Sequence, residues 1–391
     1  MAIATLRGDL ILTLVVLVVS TFVLHPCAAH QKHPGCSFEA IYTFGDSTSD
    51  TGNLYNEPAG FANRAGRLPY GINYPTKTPT GRWTNGLVMS DLFASAFSLP
   101  SPKPYLGTDK DFKSGVNFAV AWATALDTPV LAKFNIPHWY TDSSLLVQVS
   151  WFETYIASIC SNKTDCKKKL ENSIFVVGDI GSIDYTSAKL RHLNSLRVAA
   201  LTPLIAKTIA QGVQRLIDHG ASRIIVSGSL PVGCLTSNLD FSRSNYSRAY
   251  DEFGCLKSLN SFAANHNTQL QKALEGVRAK NPEVTLLYGD AFKSYQEILH
   301  NAERYGLTKN NTLNACCGAP WKEYNYDQFS LCGIVNTTVC SEPEKYLNWD
   351  GTSLTQNGYN RVVNWILHQL TPLLKCNNAP KPIKKPISIA N

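Results

Sequence analysis

The 391-residue sequence predicts an α/β protein, a three-layer α/β/α sandwich with a central parallel sheet. Three observations predict it. Short apolar runs rich in Val and Ile end repeatedly in Gly, Asp or Ser, and near-continuous apolarity marks strands buried on both faces, as in parallel sheets. Stretches of helical period separate these runs, so strand and helix alternate along the chain. With 44% hydrophobic and 17% charged residues and no Pro/Ser-rich linker or charge block, the chain can bury one large core.

In order, the first strand is Ala40–Phe44, running into Gly45-Asp46. Residues 116–121 follow, then 174–177 before Gly178-Asp179, 223–226 before Ser227-Gly228, and 284–288 before Gly289-Asp290. Helical spacing covers 87–97, 145–159, 201–217 and 253–280, with a last helix over 354–374 entered after the Asp350/Thr352 region. Segment 316–340 shows neither period and reads as a cysteine-tied loop. There is no internal repeat. In open α/β sheets reactive groups collect beyond the carboxyl ends of the strands, so chemistry is expected at the Gly/Asp punctuation.

At the N-terminus Arg7 precedes an apolar stretch over 10–24 and the small residues Cys27, Ala28 and Ala29. That order reads as a secretory signal peptide over 1–29. The stretch is shorter than the roughly 20 residues of a membrane span, and no later segment could cross a bilayer. A single domain is expected over 30–376, with a basic Pro-rich tail over 377–391. Beyond Cys27, ten cysteines remain, and an even number in a secreted chain implies disulfides. Cys160/Cys166 and Cys234/Cys255 are plausible local pairs. Cys316, Cys317, Cys332 and Cys340 lie close together, but no C-x-x-C pair or nearby His completes a metal site, so no metal or cofactor is expected.

Sequons at Asn162, Asn245, Asn310 and Asn336 predict surface positions carrying N-glycans, and the cell wall or the vacuole as destination. The net charge of +7 is partly concentrated at 163–169 and in the tail. A nucleic-acid surface would interleave basic residues with aromatics on one face. Here the charge reads as solvated, with weak attraction to an acidic wall, and no nucleic-acid partner is expected.

Phe44-Gly45-Asp46-Ser47-Thr48-Ser49-Asp50-Thr51-Gly52-Asn53 follows the first strand directly. A Ser at a strand-to-helix turn, its backbone N–H facing a cleft, can be both nucleophile and oxyanion donor. By itself it could equally be an ordinary turn or cap residue. The stretch resembles the first block of the plant GDSL esterase/lipase (SGNH hydrolase) family. Residues 115–121 resemble the second block and 177–185 the third. Residues 229–234, 315–318 and 348–351 match further landmarks in the right order. The nearer likeness, carried by 117–127 and 151–160, is to the branch holding acetylajmalan esterase and sinapine esterase, which acts on esters of plant specialised metabolites. The resemblance implies the flavodoxin-like SGNH sandwich and, as partner, a small plant metabolite, an ester or an alkaloid.

It also implies acyl transfer by a Ser, by the His closing an Asp-x-x-His motif, and by three oxyanion donors: the Ser N–H, a block-two Gly N–H and a block-three Asn side chain. Ser47 and Asp350 occupy their family positions. The motif here reads Asp350-Gly351-Thr352-Ser353, so Ser353 stands where the base is expected. Trp122 takes the Gly position and Ile183 the Asn position. Without a group of pKa near 7 to accept its proton, a serine hydroxyl is a poor nucleophile at neutral pH. Loss of the base in a comparable triad costs roughly 10⁶-fold, and loss of one oxyanion donor roughly 10²–10³-fold, the two not being additive. The Trp122 indole is expected to enter the acyl pocket and to alter the loop that Gly permits.

Among the histidines, most read as helix-surface or loop residues, and His138, in the aromatic-flanked Ile136-Pro137-His138-Trp139-Tyr140, is the candidate substitute base. Asp50 and Asp184 are expected to orient local backbone. Taken together, the sequence predicts a family member with a degenerate site. It is repurposed for non-hydrolytic chemistry or for binding a small metabolite, with residual ester hydrolysis through Ser47 as the alternative.

Overall fold

The computed structural model describes residues 37–58, 64–137 and 140–374. The expected signal peptide and basic tail, Cys36, Cys376 and His138 lie outside these residues. Six parallel strands form the central sheet: β1 (Ala40–Phe44), β2 (Lys103–Pro104), β3 (Gly115–Asn117), β4 (Ser173–Val177), β5 (Arg223–Ser227) and β6 (Thr285–Gly289), in the order β2-β3-β1-β4-β5-β6. The helices are α1 (Asn53–Asn56), α2 (Met89–Ala96), α3 (Thr128–Ala132), α4 (Leu145–Ile159), α5 (Lys163–Leu170) and α6 (Ser182–Leu190). They continue with α7 (Ser195–Ala199), α8 (Thr202–Asp218), α9 (Thr236–Phe241), α10 (Lys257–Lys280), α11 (Ala291–His300) and α12 (Gln356–Leu370).

The period-two geometry of the strands sorts their side chains between two cores. Tyr42, Phe44, Phe175, Val177, Ile224 and Val226 pack with the inward rows of α4, α8 and α10. Ile41, Ile174, Val176 and Ile225 face the other way, onto α2, α11 and α12. Helix starts follow ordinary capping chemistry. Ser144, Asn162, Asn194, Asp290 and Thr355 each accept a backbone N–H of the first turn with their side chain.

The expected sandwich is therefore the observed one, with small differences. The run over 116–121 is a strand only to Asn117, although Phe118 and Val120 still donate to Thr43 and Gly45. The edge strand β2 escapes sequence reading because two residues carry no period. The segment over 253–280 becomes helical only at Lys257, since Cys255 is tied back to Cys234. The expected local disulfides, Cys160–Cys166 and Cys234–Cys255, are formed. The crowded four cysteines close as Cys316–Cys340 and Cys317–Cys332, around a short antiparallel pair, β7 (Cys317–Gly318) and β8 (Thr338–Val339). All four sequon asparagines are exposed. Among the described residues no helix is long and apolar enough to cross a membrane, and no cluster of three or more His, Cys, Asp or Glu could hold a metal ion.

Candidate active site

A cleft of about 370 Å³ opens beyond the carboxyl ends of β1, β4 and β5. Ser47, Trp122, Ile183, Asp350 and Ser353, widely spaced in sequence, all line it.

The strand-end wall is built first. Gly45 has φ 133°, and an added Cβ would lie 3.2 Å from the Asp179 carbonyl oxygen and the Gly178 Cα, so the close approach of the β1 and β4 ends requires glycine. The Gln148 side chain bonds both backbone groups of Gly45, at 2.9 Å each. Asp50, fully buried, accepts the N–H groups of Gly52 and Asn53 (2.6 Å each), Ala121 (2.8 Å) and Leu54 (3.1 Å). Asn53 donates to the carbonyls of Asn117 and Ala119, and Asn117 in turn donates to Thr43 Oγ1 and the Ser49 carbonyl. Asp184 accepts the N–H groups of Ala125 and Leu126 at 2.8 and 3.0 Å. Asp50 and Asp184 thus orient backbone, as expected. Burial pushes their carboxyls up to about 6 and about 7 against these donors.

Ser47 sits on this frame, partly exposed, and its backbone N–H and its hydroxyl find no partner among the described residues. Beside it, Asp46 accepts Thr48 N–H at 2.9 Å, and Ser182 Oγ lies 3.4 Å from its second oxygen. The Asp179 carboxyl accepts Leu230 N–H at 3.3 Å, and its other oxygen is buried without a partner. Burial, then the neighbouring Asp46, drives the Asp179 carboxyl well above its ordinary value.

The opposite wall carries Asp350. One of its oxygens accepts Ser353 N–H (2.8 Å), Thr352 N–H (3.1 Å) and the Thr352 hydroxyl (3.1 Å). The other accepts the Tyr70 hydroxyl at 2.8 Å and lies 3.5 Å from Ser353 Oγ. Burial first, and Asp350 second, push the Tyr70 phenol well up, so it is a proton-bearing donor. The disulfide-tied segment holds this wall in place, since Cys316 and Cys317 donate their N–H groups to the carbonyls of Asn348 and Trp349. Sequence reading missed Tyr70, 280 residues from its partner.

Trp122 has φ 65°, a left-handed conformation uncommon for a bulky residue. The indole enters the cleft, its ring 4.5 Å from Tyr140 and 5.9 Å, edge to face, from Trp83. Ile183, in the first turn of α6, offers an aliphatic side chain to the same space.

The family profile named GDSL-like Lipase/Acylhydrolase matches residues 41–366. The chain belongs to that family. Acetylajmalan esterase 2 of Rauvolfia serpentina is 39% identical over 92% of this chain and 98% of its own length. Acetylajmalan esterase of the same plant is 38% identical over 88% of both chains. Sinapine esterase of Brassica napus is 34% identical over 86% of this chain and 87% of its own. The family's block order therefore maps onto these walls, with its first block on the Ser47 turn and its last on the Asp350 turn.

One histidine among the described residues lines the cleft, where most histidines were expected on helix surfaces or loops. His266, on α10, is 1% exposed and shares a 2.8 Å hydrogen bond between Nδ1 and the Tyr185 hydroxyl. Burial lowers its pKa to about 4, so the ring is neutral. Helical spacing could have placed it on the inward row with Leu259, Ala263 and Leu270, but a single polar residue gives no such signal.

Proposed function

We propose that this GDSL-family protein binds a small, largely apolar plant metabolite in the Ser47 cleft and does not perform the family's ordinary serine-histidine ester hydrolysis. The observation carrying this reading is the state of the two family positions. The Asp350 carboxylate is filled by Tyr70, Thr352 and Ser353, while the Ser47 hydroxyl has no base beside it among the described residues. Trp122 and Ile183 add apolar surface where the family places oxyanion donors, which suits shaping a hydrophobic ligand over stabilising an anion. The relatives are named for cleavage of acetylajmalan and sinapine, which supports a plant metabolite as ligand. Disulfides and exposed sequons support a secreted glycoprotein of wall or vacuole.

The test is a short-chain p-nitrophenyl ester assay with a Ser47→Ala control. Turnover by the parent protein equal to that of the control is expected. Ser47-dependent turnover at rates ordinary for the family overturns the reading. Incubation with extracts of the source tissue then separates conversion from binding alone, since a product that forms only with folded protein marks non-hydrolytic chemistry. One observation favours residual hydrolysis as a second reading: the Ser47 frame is intact, and its N–H is open as an oxyanion donor.

A further inference from the structure

On one side of the cleft α6 and α10 face each other, each presenting a pair of side chains four residues apart, on one face of its helix. On α6 these are Tyr185 and Lys189, and on α10 they are Phe262 and His266, and all four line the cleft. Tyr185 joins the pairs, its ring 4.4 Å from Phe262, edge to face, and its hydroxyl on His266 Nδ1.

Two polar groups on this side have nothing to bind. His266 Nε2 is buried without a hydrogen-bond partner. A buried polar nitrogen left unpaired is costly, and natural sites keep such a group where a ligand or water meets it. The Lys189 ammonium, half-buried, makes no ion pair among the described residues, and burial alone lowers its pKa. The tautomer in which the Tyr185 hydroxyl donates to Nδ1 leaves the hydrogen of the neutral ring on Nε2. This wall thus offers a buried ring nitrogen and a cation, neither of which meets an acceptor among the described residues.

Resting on the reading of the cleft as a metabolite-binding site, we propose that the Tyr185–Lys189 and Phe262–His266 wall is a carboxylate subsite. Lys189 and His266 Nε2 receive the ligand's carboxylate while Phe262 and Tyr185 pack on its apolar body. Of the acidic residues lining the cleft, Asp350 and Asp46 already accept local donors, burial and the neighbouring Asp46 push the Asp179 carboxyl well up, and Asp240 lies on α9. A carboxylate would pair the Lys189 ammonium and satisfy Nε2 in one step, and charge-assisted hydrogen bonds of this kind are about twice as strong as neutral ones.

The test is calorimetric titration of the full-length secreted protein with 1-naphthoate and with its neutral, non-hydrolysable isostere 1-naphthamide, repeated with Lys189→Met and Lys189→Arg. The parent protein is expected to bind naphthoate roughly tenfold tighter than naphthamide, a preference that disappears in Lys189→Met and returns in Lys189→Arg. His266→Gln, whose amide still donates, is expected to keep part of the preference. Equal affinity for both probes overturns the carboxylate subsite while leaving the metabolite cleft standing. A preference unchanged in Lys189→Met overturns it as well. Failure of both probes to bind overturns the subsite and counts against the cleft reading too.

Discussion

The two walls of the Ser47 cleft have been treated differently. On the strand-end wall buried polar side chains hold the backbone: Asp50 gathers N–H groups from both sides, Asn53 and Asn117 brace each other, and Gln148 clamps Gly45. On the reading proposed above, the reactive side chains at the remaining family positions are changed. The Asp350 turn is closed by Ser353, Ile183 sits in the first turn of α6, and Trp122 holds a left-handed φ without being glycine. The difference teaches that the serine's frame is also a structural joint between β1, β3 and β4, so its polar residues serve folding whether or not Ser47 reacts. Side chains that serve proton transfer alone have no such second role, and can be replaced without loss of the fold.

The sharpest way to test the comparison is to restore the second wall. The combined variant Trp122→Gly, Ile183→Asn, Ser353→His installs the residue types that the resemblance assigns to these positions, and on the proposed reading Ser47-dependent hydrolysis of p-nitrophenyl acetate is expected to rise by at least ~10³-fold over the parent. A variant that folds and stays as slow as the parent would show that the frame itself has drifted.

The next largest effect belongs to the first wall. Asp50→Ala strands the N–H groups of Gly52, Asn53, Leu54 and Ala121 in a buried joint, and the expected loss is roughly 3–5 kcal/mol in denaturant unfolding. Thr352→Ala, which removes one hydroxyl from an Asp350 that keeps its other donors, is expected to cost about 1 kcal/mol or less. Equal losses would erase the contrast between the walls.

Much of this organisation was legible in the sequence, for a reason that also marks its limit. Strands β1, β4, β5 and β6 and helix α4 were readable because burial on both faces, or on one stripe, imposes a period. Trp122, Ile183 and Ser353 were assigned by resemblance to the family's block order, and the structure brings all three to one cleft. Tyr70 was not readable, since its contact with Asp350 is set by a loop crossing the cleft and by no period. His266 was misplaced because a polar residue on an inward helical row looks like any surface histidine until the facing helix is known. The left-handed φ of Trp122 was not readable, because the hydrogen bonds of Ala121 to Asp50 and of Ala123 to Val120 hold the chain on either side of it.

Stability should depend on pH through the carboxyls of the first wall. Asp50 and Asp184 have folded pKa values of about 6 and about 7, above the ordinary 3.8, so their contribution is fully present in acid and is lost as pH rises through those values. Asp46 and Asp179, also raised by burial, act in the same direction. His266, lowered to about 4, opposes them by losing stability as pH falls below its unfolded value. Four carboxyls against one imidazole give a melting temperature higher at about pH 5 than at about pH 8, and Asp184→Asn should flatten the part of the slope nearest neutrality.

The smallest effect is expected at Trp122, where two terms nearly cancel. Holding a tryptophan at φ 65° costs on the order of 1–2 kcal/mol, which glycine would not incur. The indole returns a similar amount through its contacts with Tyr140 and Trp83. Trp122→Gly alone should therefore change unfolding stability by no more than about 1 kcal/mol in either direction. Its ligand behaviour should change far more, because the same substitution empties the space over Ser47. Calorimetry with 1-naphthamide, whose binding does not use the Lys189 side, should show affinity falling while stability stays level. A large drop in stability instead would mean that the indole is a structural prop, and the apolar lining of the cleft would lose its meaning as a ligand surface.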